Sequence, residues 1–215
     1  MSCEAVKIKF CGLSRPADIE AANALRPEYI GFVFAPRSRR FVAPETALKL
    51  RRMLDPGIAA VGVFVDEEPG RVASLMETGV IDLAQLHGHE DEEYIARLRT
   101  TTGHEIIQAF KIRSEQDVRR AAESSADYIL LDSGAGTGSV FDWDYLRAFT
   151  GTDTETDQKP GRRFFLAGGR APENAGRAVR EFAPYAVDVS SGIETDGWKD
   201  MKKMTAFARA VRNQG

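Results

Sequence analysis

The sequence has 215 residues and a formal net charge of −3, with 29 basic and 32 acidic residues spread along it. That length suits one domain, residues 1–215, better than two, and 43% hydrophobic residues is enough for an ordinary core. The mixed, near-neutral charge excludes a basic nucleic-acid surface or a polybasic membrane patch, and no window approaches the roughly 18 consecutive apolar residues of a membrane span. The N-terminus, Met1-Ser2-Cys3-Glu4-Ala5-Val6-Lys7, lacks the basic-then-apolar order of a secretory signal. Cys3 and Cys11 lie too close together to staple a fold, and the three histidines, His87, His89 and His104, show no zinc-type spacing. These features predict a cytoplasmic protein with reduced thiols and no metal.

In chain order, apolar runs rich in Val, Ile and Phe predict strands over Val6–Cys11, Tyr29–Phe34, Ala59–Val65, Leu83–Leu86, Glu105–Lys111, Tyr128–Leu131, Arg163–Ala167 and Ala186–Val189. Helical period predicts helices over Pro16–Leu25, Pro44–Leu54, Pro69–Glu77, Asp91–Arg99, Ser114–Glu123, Trp143–Phe149, Pro172–Phe182 and Lys199–Arg212, the first capped by Ser14. Roughly eight strand–helix units in a chain of this length sit at the lower edge of the (βα)₈ barrel range. Alternation alone fits an open doubly wound sheet as well. The segment Gly151–Arg162 has no apolar anchor and reads as a surface loop.

The strand ends argue for closure. In an all-parallel barrel every strand C-terminus opens on one face, where such enzymes keep their site. Following the ends gives Cys11-Gly12, then Pro36-Arg37-Ser38-Arg39-Arg40, Asp66, Gln85-Leu86-His87-Gly88, Lys111, Asp132-Ser133, Gly168-Gly169 and Ser190-Ser191-Gly192. Polar residues and glycines thus gather at one end, the pattern of a (βα)₈ (TIM) barrel enzyme. Gly136-Thr137-Gly138, Gly168-Gly169 and Ser190-Ser191-Gly192 are small enough to bring backbone N–H groups close to an anion, and loops after strands seven and eight often bind phosphate. A phosphorylated small-molecule substrate is expected.

Taken one at a time, these residues have plainer readings. A cysteine near a strand end is usually a small core residue, and an isolated aspartate is often a turn or helix cap. Asp142 and Trp143 suit a helix start. At least two of Arg37, Arg39 and Arg40 are expected to be solvated, and His87 fits a hydrogen bond to a neighbouring loop as well as a substrate contact.

The ordered set is more specific. Lys9-Phe10-Cys11-Gly12-Leu13, Gly31-Phe32-Val33-Phe34, Val61-Gly62-Val63-Phe64-Val65, Gln85-Leu86-His87-Gly88, Leu130-Leu131-Asp132-Ser133, Gly136-Thr137-Gly138 with Phe141-Asp142-Trp143, Leu166-Ala167-Gly168-Gly169 and Val187-Asp188-Val189-Ser190-Ser191-Gly192-Ile193-Glu194 resemble the successive strand motifs of the phosphoribosylanthranilate isomerase family. The resemblance runs from Lys9 to about Lys203. It implies an Amadori rearrangement in tryptophan biosynthesis, converting N-(5-phosphoribosyl)anthranilate to 1-(2-carboxyphenylamino)-1-deoxyribulose 5-phosphate, with no metal or organic cofactor. It also implies Cys11 as general base, Asp132 as general acid and Arg40 as the anthranilate-binding arginine. Gln85, His87 and Asp188 become substrate-site residues, and Gly136, Gly138, Gly168, Gly169, Ser190, Ser191 and Gly192 the phosphate site. Monomers and homodimers both fit the pattern.

Four departures from the family pattern stand out: Phe10 for a smaller aliphatic residue, Ala35 at a frequently aromatic position, Arg170 after Gly168-Gly169, and a long Gly151–Arg162 segment. Arg170 would add a phosphate contact or face solvent.

The chemistry fits these types. Asp132 follows Ile129-Leu130-Leu131, whose desolvation would raise its pKa toward that of a useful acid. Cys11 would serve as base if Lys7, Lys9 and the arginines of the second loop lowered its thiol pKa. The rivals are an indole-glycerol-phosphate synthase, which relies on lysine and glutamate, and the histidine-pathway aminoaldose isomerase, with aspartate where Cys11 stands. Neither suits that residue, although it leaves a dual-specificity isomerase open. A non-catalytic phosphate-binding module would lack the acid or the base.

Overall fold

The structure is a computed structural model, and it describes residues 5–132 and 163–214. Eight strands close into a barrel in chain order: β1 Lys7–Cys11, β2 Tyr29–Val33, β3 Ala59–Phe64, β4 Leu83–Leu86, β5 Ile106–Lys111, β6 Tyr128–Asp132, β7 Phe164–Ala167 and β8 Ala186–Val189. Every neighbouring pair is parallel, and β8 pairs with β1 through Ile8↔Val187 and Lys9↔Asp188. The closed ring settles the choice between barrel and open sheet. The strands begin and end within about one residue of the sequence expectation, the scatter normal for such boundaries.

The helices are α1 Pro16–Leu25, α2 Pro44–Arg51, α3 Pro69–Glu77, α4 Glu92–Thr101, α5 Glu115–Glu123, α6 Pro172–Phe182 and α7 Met201–Arg212. The helix expected at Trp143–Phe149, the Gly151–Arg162 segment, Cys3, and Gly136-Thr137-Gly138 lie outside the described residues. Helix α1 is capped differently from expectation. Its N-cap is Arg15 rather than Ser14, and the Asp18 carboxylate reaches back to accept the Ser14 and Arg15 amides at 2.9 and 3.0 Å. The carboxylate satisfies two amide donors that lie at and before the N-cap, and its charge suits the helix N-terminus.

Strand alternation sorts the core into two layers. Ile8 and Phe10 of β1 face outward toward the helices, where Phe10 packs edge-on against Phe207 of α7 at 6.4 Å. Phe10 is fully buried, so its departure from the family pattern is a packing choice, and burying such a side chain contributes about 1.5–3 kcal/mol. The opposite face of each strand fills the barrel. Tyr29, Val61, Leu83, Ile107, Tyr128, Leu130 and Phe165 form the interior layer. Continuing at the same parity toward the C-terminal ends puts Lys9, Cys11, Gln85, His87, Asp132 and Asp188 on the inner face. The apolar plug below and these polar groups above are one period-2 pattern.

Two further elements were not anticipated. A 3-10 turn, Ser191–Ile193, follows β8, and the strands β9 Glu194–Thr195 and β10 Trp198–Lys199 form a small antiparallel hairpin. Its two-residue turn, Asp196-Gly197, has positive φ at both positions (52° and 82°), which aspartate tolerates and glycine adopts freely. Lys199, expected to open the last helix, instead lies on this hairpin.

Candidate active site

Cys11 sits at the end of β1, buried, opposite Gly31 of β2. A Cβ on Gly31 would lie 2.9 Å from the Cys11 sulfur and 3.2 Å from its Cα. Any larger residue there would press on the thiol, so glycine makes the space for it. Burial pushes the thiol pKa up; Lys9 and Lys199 pull it back, Asp188 adds to the rise, and the net shift is upward. The expected lowering by cationic neighbours is therefore overturned. Desolvation disfavours the thiolate more than the cations favour it. Lys7 contributes nothing near the thiol, because its ammonium bonds the Tyr185 hydroxyl at 2.7 Å at the other end of β1.

Lys9, two residues before Cys11 on the same inner face, is fully buried and pairs with Asp188 at 2.8 Å. Burial opposes the Lys9 charge, but Asp188 and Cys11 outweigh it and hold the ammonium pKa above its ordinary value. Asp188, named from the sequence as a substrate-site residue, is thus also the counter-ion of the lysine beside the thiol.

Asp132 ends β6 on the inner face with about 20% of its side chain exposed. Apolar enclosure was the expectation here, yet His87 stands beside it, with Nε2 3.4 Å from Oδ2. His87 Nδ1 lies 3.1 Å from the Gln85 amide nitrogen. With that NH₂ donating, the ring hydrogen sits on Nε2 and faces the carboxylate. Gln85 is almost fully buried, and its Oε1 accepts no hydrogen bond among the described residues. The structure therefore joins three residues named separately from the sequence into one chain: Gln85, His87, Asp132. Among the described residues the His87 side chain meets Gln85 and Asp132.

Arg170 is buried, which overturns its solvent-facing reading. Its Nε donates to the Gly168 carbonyl at 2.8 Å. Burial lowers its pKa and the nearby Asp132 charge opposes that, so the arginine braces the strand-seven loop close to the proposed acid. Gly168 and Gly169 both have positive φ (78° and 57°), a conformation in which glycine pays no Cβ penalty. The absence of side chains at both positions lets an anion approach the backbone N–H groups closely. The loop after β8 leans directly on this one. A Cβ on Gly192 would fall onto the Arg170 carbonyl oxygen. Gly192→Ala should therefore push the two loops apart, destabilising the fold by about 1–3 kcal/mol. A thermal melt and a titration with inorganic phosphate check this; unchanged Tm and phosphate affinity would remove Gly192 from the site. Ser190 donates its hydroxyl to the Cys11 carbonyl at 3.1 Å, tying this loop to the end of β1, while Ser191 is exposed at the rim.

The loop after β2 behaves partly as expected. Arg37 and Arg39 are exposed and Arg40 is half-buried. Arg39 and Arg40 both pair with Glu194 of the hairpin, and Lys199 joins them. Sequence reasoning missed Glu194 and Lys199 as site residues. The signal that could have found them is Asp196-Gly197, the dipeptide of a two-residue hairpin turn, which places residues 194 and 199 side by side. Among the described residues no cluster of three or more His, Cys, Asp or Glu side chains could hold a metal, and no helix is long and apolar enough to cross a membrane.

A closed (βα)₈ barrel that gathers a thiol, a carboxylate, an imidazole and a buried lysine at its strand C-termini is an enzyme of the acid–base class. The comparisons narrow the class. The family pattern described as N-(5'phosphoribosyl)anthranilate (PRA) isomerase matches residues 8–210. The N-(5'-phosphoribosyl)anthranilate isomerase of Endomicrobium trichonymphae is 39% identical over 212 residues, covering 96% of this chain and 98% of the relative. The crystal structure of phosphoribosyl anthranilate isomerase from Thermotoga maritima superposes with a TM-score of 0.84 at 31% identity, covering 97% and 99% of the two chains. A crystal structure of phosphoribosyl anthranilate isomerase in complex with reduced 1-(o-carboxyphenylamino)-1-deoxyribulose 5-phosphate superposes at 0.82, also at 31% identity and with the same coverage. The chain belongs to the N-(5'-phosphoribosyl)anthranilate isomerase family, isomerases of tryptophan biosynthesis.

Proposed function

We propose that Cys11 is the general base and Asp132 the general acid of an Amadori rearrangement of N-(5'-phosphoribosyl)anthranilate. The observation that carries this reading is their placement: both face the barrel interior at the C-terminal ends of β1 and β6, three strands apart round an eight-strand ring. A small substrate seated between them meets an acid on one side and a base on the other. Asp132 gives its proton to the furanose ring oxygen, the C1′–O bond breaks, and an iminium to the anthranilate nitrogen forms. The Cys11 thiolate then removes the C2′ proton, the electrons move into the C1′–C2′ bond and neutralise the iminium nitrogen, and the enolamine tautomerises to the aminoketose.

The neighbours have parts consistent with this sequence. The Lys9 ammonium, held charged by Asp188, offsets part of the cost of forming a buried thiolate. The orphaned Gln85 Oε1 is an acceptor awaiting a donor, which a sugar hydroxyl would provide. The positive-φ glycines after β7 and the Ser190-Ser191-Gly192 loop after β8 would hold the 5-phosphate through backbone N–H groups; Gly136 and Gly138 are proposed for the same role from sequence alone. Arg40 would take the anthranilate carboxylate in a charge-assisted pair. The reaction needs one small-molecule substrate and neither metal nor organic cofactor.

The test is turnover of freshly generated phosphoribosylanthranilate, followed by loss of its fluorescence, in wild type and Cys11→Ala. Turnover in the first and its loss in the second supports the reading. A wild type that binds the product analogue yet turns over no substrate sinks it. Arg40→Ala should raise KM about tenfold or more with little change in kcat, the signature of a lost ground-state contact. An unchanged KM in steady-state assays would move the carboxylate to Arg37 or Arg39.

A further inference from the structure

Glu194 accepts four hydrogen bonds, and the acid–base steps make no use of it. Its side chain is about 5% exposed. Oε1 accepts from Arg40 Nε at 2.6 Å and from Lys199 Nζ at 2.7 Å, and Oε2 accepts from Arg40 Nη2 at 2.9 Å and Arg39 Nη2 at 2.8 Å. Four donors fill the roughly four lone-pair positions of a carboxylate. Burial pushes the Glu194 carboxyl up, but the bonds from Arg40 and Lys199 overwhelm it and hold its pKa down at about 2. The anion is permanent, and so is its hold on Arg40.

The geometry of that hold matters. Glu194 takes one edge of the Arg40 guanidinium, Nε with Nη2, in a two-bond grip. Nη1 donates no hydrogen bond among the described residues, so the end edge, Nη1 with the second Nη2 hydrogen, is left for another planar anion. Gly12 makes room for the stem on the other side, since a Cβ there would collide with Arg40 Cδ. An arginine with four rotatable bonds is thereby set in one orientation beside Cys11 before substrate arrives. Lys199 extends the hold to the phosphate side, donating to the Ser190 carbonyl at 3.0 Å.

We propose that Glu194 is a positioning residue for substrate carboxylate recognition, acting through Arg40. It clamps one edge of the guanidinium so that the opposite edge meets the anthranilate carboxylate without first being ordered. Glu194 touches no substrate atom. Its contribution is that the cost of immobilising Arg40 is met during folding rather than during binding. The inference rests on the reading that Arg40 receives the carboxylate.

The experiment is a double-mutant cycle in KM and kcat with wild type, Glu194→Gln, Arg40→Ala and the double variant. Glu194→Gln should raise KM about tenfold, the loss of one preorganised charge-assisted contact, with kcat within about twofold of wild type. In the Arg40→Ala background it should raise KM no further. An equal KM rise in both backgrounds, or a wild-type KM in Glu194→Gln, overturns the proposal while leaving the Arg40 reading intact. A wild-type KM in Arg40→Ala alone overturns both, and that single variant identifies which has failed. Glu194→Asp keeps the negative charge beside the buried Lys199, so it folds even if Glu194→Gln does not. It withdraws the carboxylate by one methylene and should show the same KM-selective loss.

Discussion

Cys11→Ala should lower kcat by about 10²- to 10⁴-fold, the usual worth of a positioned base, while affinity for a product analogue stays close to wild type. The variant removes a small buried group that Gly31 gives room to, so the barrel loses little packing. The pH dependence adds a second, independent readout. Burial holds the thiol pKa above its ordinary value despite Lys9 and Lys199, so at neutral pH the resting enzyme carries mostly thiol. Only the thiolate removes a proton. The thiolate absorbance that distinguishes wild type from Cys11→Ala should therefore climb as pH rises through neutrality and level off only once the thiol ionises. Lys9, its pKa also raised, keeps its charge over that range. A thiolate absorbance difference already at its plateau at pH 7 contradicts the raised thiol pKa. Near-wild-type kcat in Cys11→Ala removes the residue from the chemistry altogether.

That direction of shift is where sequence reasoning met its limit. Lys9 and Cys11 are two apart on a strand, so their shared face could be read from alternation alone. Whether the neighbouring charge or the surrounding burial governs the thiol depends on how tightly β2, β3 and β8 close around it, and no spacing rule encodes that. The same holds for Arg170. A charged residue after a glycine pair is ordinarily solvent-facing, yet the close approach of Gly192 to its carbonyl draws the strand-seven and strand-eight loops together and encloses it.

The fold itself was more legible. Eight apolar runs separated by helical stretches gave strand positions to about a residue, because interior and exterior layers of a closed parallel barrel impose near-continuous apolar sequence. Closure was argued from the polar residues at strand ends, and the β8–β1 pairing bears it out. Among site residues, Cys11, Gln85, His87, Asp132 and Asp188 do share the inner face at the strand ends. What one-dimensional reading did not supply is who pairs with whom: Asp188 with Lys9, His87 with Asp132, Arg40 with Glu194. These partners come from strands and loops far apart in sequence, and residues 9 and 188 meet only because the ring closes.

Asp132→Asn is the second substitution expected to remove activity, by a kcat loss comparable to that of Cys11→Ala, with product-analogue affinity retained. An amide at this position keeps the shape and can still bond His87, but it has no acidic proton to give the ring oxygen, and ring opening must precede every later step. The neighbouring imidazole makes the result diagnostic. His87 Nε2 is 3.4 Å from the carboxylate and is oriented by Gln85, so His87 is the one described group placed to supply a proton in its stead. Removing Asp132 alone decides between the two. If the carboxylate is the acid, Asp132→Asn is inactive with His87 intact, and His87→Gln, which retains a donor to Asp132, keeps most of its kcat. If the imidazole is the acid, the pattern inverts: Asp132→Asn keeps substantial kcat and His87→Gln loses it. Single-turnover rates for the two variants at one pH are sufficient, because the comparison is between neighbouring residues and needs no absolute pKa for either.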